Sequence, residues 1–115
     1  MKHIRKRISK IIDEMMLFFF SVGGQKIHID YEHLDMGYRI AMESDYDPAS
    51  REDLEHLDRY LNGPKDESIL EYYWELAGER ESGRDSELYL VGQMIDKADI
   101  RVEENKVTVV LEKRF

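Results

Sequence analysis

The chain contains no cysteine. That excludes a disulfide scaffold, a thiol nucleophile and thiolate metal sites. Long apolar runs are missing too. The longest stretch of apolar or small residues, Met15 to Val22, falls far short of the roughly 20 residues a spanning helix needs. Basic residues precede it, but Asp13 and Glu14 interrupt its approach and no small-residue cleavage site follows. It therefore does not read as a signal peptide, and a cytoplasmic location is the expectation. Internal repeats and low-complexity segments are also absent, which argues against a solenoid or a disordered tract.

What is present fits one globular unit. A length of 115 residues suits a single domain over residues 1–115. The apolar share is ordinary at 42%, while the charged share of 37% is high, so every helix needs a solvated face. The net charge is −8, yet Lys2, Arg5, Lys6, Arg7 and Lys10 lead the chain with no acid among them. The remainder is therefore strongly acidic. Such a body repels phosphate backbones, which excludes nucleic acid as the expected partner. The basic start reads as a solvated helix tip, or as a contact for an anionic surface.

Periodicity predicts the elements. Ile4, Ile8, Ile11, Met15, Phe19 and Val22 recur at three- and four-residue steps, which makes Ile4 to Val22 an amphipathic helix. Met16, Leu17, Phe18 and Phe20 widen its apolar face, and Gly23-Gly24 stops it. Ile27, Ile29 and Tyr31 alternate with Lys26, His28, Asp30 and Glu32, the period of a half-buried strand. A turn over His33 to Gly37 leads to a second strand through Tyr38, Ile40 and Met42. Ser50 is the expected cap of a helix with Leu54, Leu57 and Leu61 inward, ended by Asn62-Gly63-Pro64. A third helix is expected over Asp66 to Ala77, a mobile charged loop over Gly78 to Gly83, and a fourth helix over Ser86 to Ala98. Ile100 and Val102, a turn over Glu103 to Lys106, and Val107, Val109 and Leu111 make a closing hairpin. The order α-ββ-α-α-α-ββ predicts an α+β two-layer sandwich. Its mostly antiparallel sheet has four strands in two hairpins, covered by about four helices.

The helix Ser86-Glu87-Leu88-Tyr89-Leu90-Val91-Gly92-Gln93-Met94-Ile95 runs straight into a hairpin ending Val107-Thr108-Val109-Val110-Leu111. This resembles the C-terminal part of the histidine-kinase-like ATPase (GHKL) family, where a glycine-rich box leads into such a helix. The upstream order is similar as well: helix, hairpin, acidic loop, helix, lid-like stretch. The resemblance covers about Ile11 to Phe115 and implies an ATP-binding scaffold.

The departures bear on that implied activity. The family's first helix carries a Glu and, four residues on, an Asn that holds magnesium. Glu14 matches the Glu, but the later position is Phe18, which has no ligand atom. The first glycine box corresponds to Glu43 to Ser50, where Asp45 or Asp47 supplies the acid but no glycine lets backbone approach the base. The second falls on Gly83 to Glu87, with Asp85 and Glu87 replacing its later glycines. Carboxylates there would meet phosphate oxygens at a cost of about 4 kcal/mol for unit charges 4 Å apart at moderate dielectric. The resemblance thus implies a scaffold with a lost nucleotide site, with no catalytic residue, metal or cofactor expected.

Three functional readings stay open. The first is a non-enzymatic regulatory or interaction domain that binds a protein partner or itself as a homo-oligomer. Its candidate interface residues are Met15, Met16, Phe18, Phe19, Phe20 and Trp74, because a helix apolar nearly all round is either fully buried or paired with another chain. Tyr72, Tyr73 and Trp74 cannot all face one core at about 100° per residue. The second is an active ATPase or anti-sigma-type protein kinase using Lys65, Arg80 or Arg84 in place of glycine backbone. The third is a metal-assisted hydrolase built on His28, Asp30 and Glu32, which share one strand face, with His33 and Asp35 close by. Glu55, His56 and Asp58 are better read as surface charge, since adjacent helical positions point apart.

Overall fold

A computed structural model describes residues 4–65 and 84–115, with side chains of the second stretch described from Glu87 onward. Within these, α1 spans Ile4–Ser21, β1 Ile27–Leu34 and β2 Gly37–Ser44. A 3-10 turn over Pro48–Ser50 leads into α2 (Arg51–Glu55) and α3 (Leu57–Leu61). From residue 84 onward come α4 (Arg84–Gln93), β3 (Lys97–Val102) and β4 (Val107–Arg114). The expected third helix and the loop after it, including Tyr72, Tyr73, Trp74 and Arg80, lie outside the described residues. Among the described residues, no helix is long and apolar enough to cross a membrane.

The fold is α+β, with one four-stranded antiparallel sheet in the order β1-β2-β4-β3. Each hairpin supplies one central and one edge strand. Alternation along the strands decides the two faces. Tyr38, Ile40 and Met42 of β2, Val107, Val109 and Leu111 of β4, and Ala98 of β3 are buried with residues of α1, α2, α3 and α4 in one cluster. His28, Asp30, Glu32, Arg39, Asp99 and Arg101 fall on the opposite, open face. That is the one-sided burial expected of an antiparallel sheet.

The end of α1 follows its sequence signal. Gly23 takes φ +89°, the left-handed geometry glycine adopts without penalty. The Gly24 N–H donates to the Phe19 carbonyl at 2.8 Å, closing the last turn.

Several expectations are corrected. The first hairpin turns on Asp35 and Met36 alone, because Leu34 already pairs with Gly37. His33 therefore belongs to β1 and faces the helix side, opposite Tyr38. Ser50 makes no side-chain cap; Asp47 does, accepting from the Ala49 N–H at 3.0 Å. The Leu54–Leu57–Leu61 helix is interrupted at His56. Helix α4 stops at Gln93, so Ala98 sits in β3, and the stripe read through it mixes two elements.

Candidate functional site

The residues singled out in the sequence lie on α1, in the loop after β2 and at the start of α4. Positions 7, 11, 14 and 18 follow four- and three-residue steps, so Arg7, Ile11, Glu14 and Phe18 share one helix face. All four are buried. The Lys10 Nζ stands 3.2 Å from Glu14 Oε1 and 3.1 Å from Glu87 Oε2 of α4. Both carboxylates are nearly sealed from solvent, with side chains 3% and 6% exposed. The Glu87 contact is close but poorly aligned for a hydrogen bond, so it acts chiefly as an ion pair. Burial works to lower the Lys10 pKa, but Glu87 and Glu14 outweigh it and leave the ammonium above the ordinary lysine value. Lys10 thus stays charged throughout the neutral range.

This cluster has no place for a magnesium nucleotide among the described side chains. Glu14 is engaged by Lys10. Phe18, where a magnesium-holding Asn is expected, is 2% exposed and packs edge-on against Phe19. Glu87 brings a second buried carboxylate towards the helix start where phosphate oxygens would come. The donor set does not fit the group.

Asp45, the candidate adenine acid, serves the backbone instead. Its Oδ1 accepts from the Gln25 and Lys26 N–H groups at 2.7 and 2.9 Å. The Lys26 and Gln25 amides hold its carboxyl below the usual carboxylate range. It pins the entry to β1. Lys65, a candidate phosphate contact, is likewise committed. Its Nζ donates to the Leu61 and Gly92 carbonyls, each at 2.6 Å, where α3 and α4 end and cations are favoured. Burial lowers its pKa from the usual lysine value. The Arg84 side chain lies outside the described ones.

The open face of the sheet carries shallow hollows. One of about 240 Å³ is lined by Lys26, His28, Glu43, Asp45, Asn105 and Lys106 among others. Another of about 250 Å³ centres on His28, Asp30 and Thr108. Both are below the roughly 300 Å³ at which small-molecule pockets begin. Here His28, Asp30 and Glu32 share a face as expected. No three His, Asp or Glu side chains among the described residues form a group able to hold a metal.

The candidate interface on α1 is largely corrected. Met15, Phe18 and Phe19 are buried in the chain's own core, because the inner arc of α1 rests against other elements of the same chain. Phe20 is 55% and Leu17 44% exposed, and Met16 is half-buried. Leu17 and Phe20 are the large apolar side chains that the described part of α1 exposes. Trp74 lies outside the described residues.

The buried charges escaped the sequence reading. The Lys10–Glu14 spacing and the position of Arg7 and Glu14 one step off the apolar stripe were the available signals. No family model matches the chain, and no curated protein aligns with it.

Proposed function

We propose that the chain is a non-catalytic regulatory or protein-interaction domain on a histidine-kinase-like ATPase scaffold with a lost nucleotide site, working in the cytoplasm and self-associating with help from α1. The observation that carries this reading is the buried Lys10–Glu14–Glu87 cluster. Side chains of this chain satisfy one another where a nucleotide-binding scaffold needs open backbone and a metal ligand. Phe18, buried one turn beyond Glu14, supports it further. The role left to such a domain is contact with other proteins. Leu17 and Phe20, large apolar side chains exposed on one helix, supply a surface for it.

Calorimetric titration with Mg-ATP tests the loss of the site. No heat of binding is expected up to millimolar nucleotide; binding at tens of micromolar would restore the ATPase or kinase reading. Light scattering on Phe20→Glu tests self-association, since the substitution lies outside the core and should lower the mass. An unchanged mass removes α1 from the contact.

A further inference from the structure

We infer that the outer edge of β1 is a self-complementary docking strand for a second copy of this chain, pairing antiparallel about a two-fold axis at Ile29. The inference rests on the self-association proposed above and locates it.

The backbone parity of β1 can be fixed. The Phe115 N–H donates to the Met36 carbonyl at 2.9 Å, which continues the β2–β4 ladder by one pair. Residues directly opposite alternate between bonded and non-bonded pairs, so even-numbered residues of β2 bond β4 and odd-numbered ones bond β1. In the β1–β2 register, odd residues of β2 face even residues of β1. Ile27, Ile29, Tyr31 and His33 therefore point their N–H and C=O groups away from the sheet. No described group meets them. The edge is eight residues long and not one of them is buried. It has neither proline nor bulge, two of the devices against edge pairing; its charged residues, a third device, decide which strand it accepts.

Charge selects both the partner and the register. With the axis at Ile29, Lys26 faces Glu32 of the other copy and His28 faces Asp30, and symmetry repeats each pair. No cross-strand pair then sets like charges against each other, and the Lys26–Glu32 pair, made twice, is attractive. On the helix-side face, Ile29 meets its own mate and Ile27 meets Tyr31, whose ring is 40% exposed in one copy. The pairs Ile27–Tyr31, Ile29–Ile29 and Tyr31–Ile27 are each of the type that exchanges both hydrogen bonds. Neighbouring registers are poorer. An axis at Asp30 sets Asp30 against itself, and one at Tyr31 sets Asp30 against Glu32. An axis at His28 keeps Lys26 opposite Asp30 but sets His28 against itself and moves Glu32 opposite Gly24, so it forms fewer charge pairs. A stagger by one residue turns the strand's faces over. The product is one continuous eight-stranded sheet with the helices of both copies on the same side.

Sedimentation of the full chain over a concentration series tests this, with amide exchange read on the same samples. A dimer is expected, with the Ile27, Ile29 and Tyr31 amides gaining protection as it forms. Lys26→Glu and Glu32→Lys, both at exposed positions, should each raise the dimer dissociation constant about tenfold or more, since two attractive pairs become repulsive. The double swap K26E/E32K should restore it. A dimer sensitive to Phe20→Glu but indifferent to the charge swaps overturns this register and leaves self-association standing. A monomer at every concentration overturns both and leaves the edge to a different chain. Neither outcome touches the nucleotide titration.

Discussion

At the β3 margin of the sheet, the side-chain amide of Asn62 does what another strand would do. It accepts from the Ala98 N–H at 2.8 Å and donates to the Ala98 carbonyl at 2.8 Å. At the β1 margin no described group meets the outward backbone of Ile27, Ile29 and Tyr31. Both strands are edges of the same sheet, yet one is capped at Ala98 from within and the other meets no described group at Ile27, Ile29 or Tyr31. Closure of the β3 side takes three elements. The end of α3 supplies Asn62, α4 crosses α3 closely enough to hold it there, and Lys65 ties their carbonyls. Tyr38 adds a bond from its hydroxyl to the Met94 carbonyl at 2.7 Å, and burial pushes that phenol well above its usual pKa. The β1 side has one comparable anchor, Asp45 at its entry.

The contrast can be broken from its strongest joint outward. Lys10 links α1 to α4. Lys10→Met removes the cation that Glu14 and Glu87 share in a nearly sealed site and should cost about 3 kcal/mol in chemical denaturation at neutral pH. Next is Gly92. A Cβ there would meet the Tyr60 carbonyl oxygen at 2.3 Å and the Leu61 Cα at 3.2 Å, backbone that cannot step aside. Gly92→Ala should push α4 off α3 and lower stability by about 2–3 kcal/mol, despite the better helix propensity of alanine.

Asn62→Ala leaves both Ala98 groups without their partner at a half-covered edge. The expected loss is about 1–2 kcal/mol, and the Ala98 amide should exchange faster. If exchange there is unchanged, the margins are not finished differently after all. The smallest effect belongs to Asp45. Its folded pKa is depressed, so its contribution is present above the ordinary aspartate value near 3.9 and lost as pH falls through the lower folded value. Asp45→Asn should therefore be slightly less stable than the parent at pH 7, and the gap should close in strong acid.

Much of this architecture was legible because it is periodic. The three- and four-residue spacing of Ile4, Ile8, Ile11 and Met15 marks α1, and the alternation in Ile27-His28-Ile29-Asp30-Tyr31 marks β1. Ala98 was misplaced because Lys97-Ala98-Asp99 carries too little apolar contrast to separate a strand from the end of a helix. Asn62 reads locally as a helix stop; its second task depends on a partner 36 residues away, which no window contains. Phe18 and Phe19 were read as interface because width of the apolar arc does not say which chain covers it. The candidate site was the least legible part. Lys10 and Glu14 form an ordinary helical pair until Glu87 arrives from another element and turns them into a buried cluster.

The strand order has a consequence for synthesis. The first hairpin emerges before the second, but β2 gains its inner neighbour only when β4 has been made. For that whole interval the nascent hairpin has two open sides, and the apolar row of Tyr38, Ile40 and Met42 lacks its sheet neighbour. Exposed apolar surface and unpaired strand edges make such an intermediate prone to aggregate. Slow translation through the intervening helices should lengthen that exposure and lower the yield of native protein.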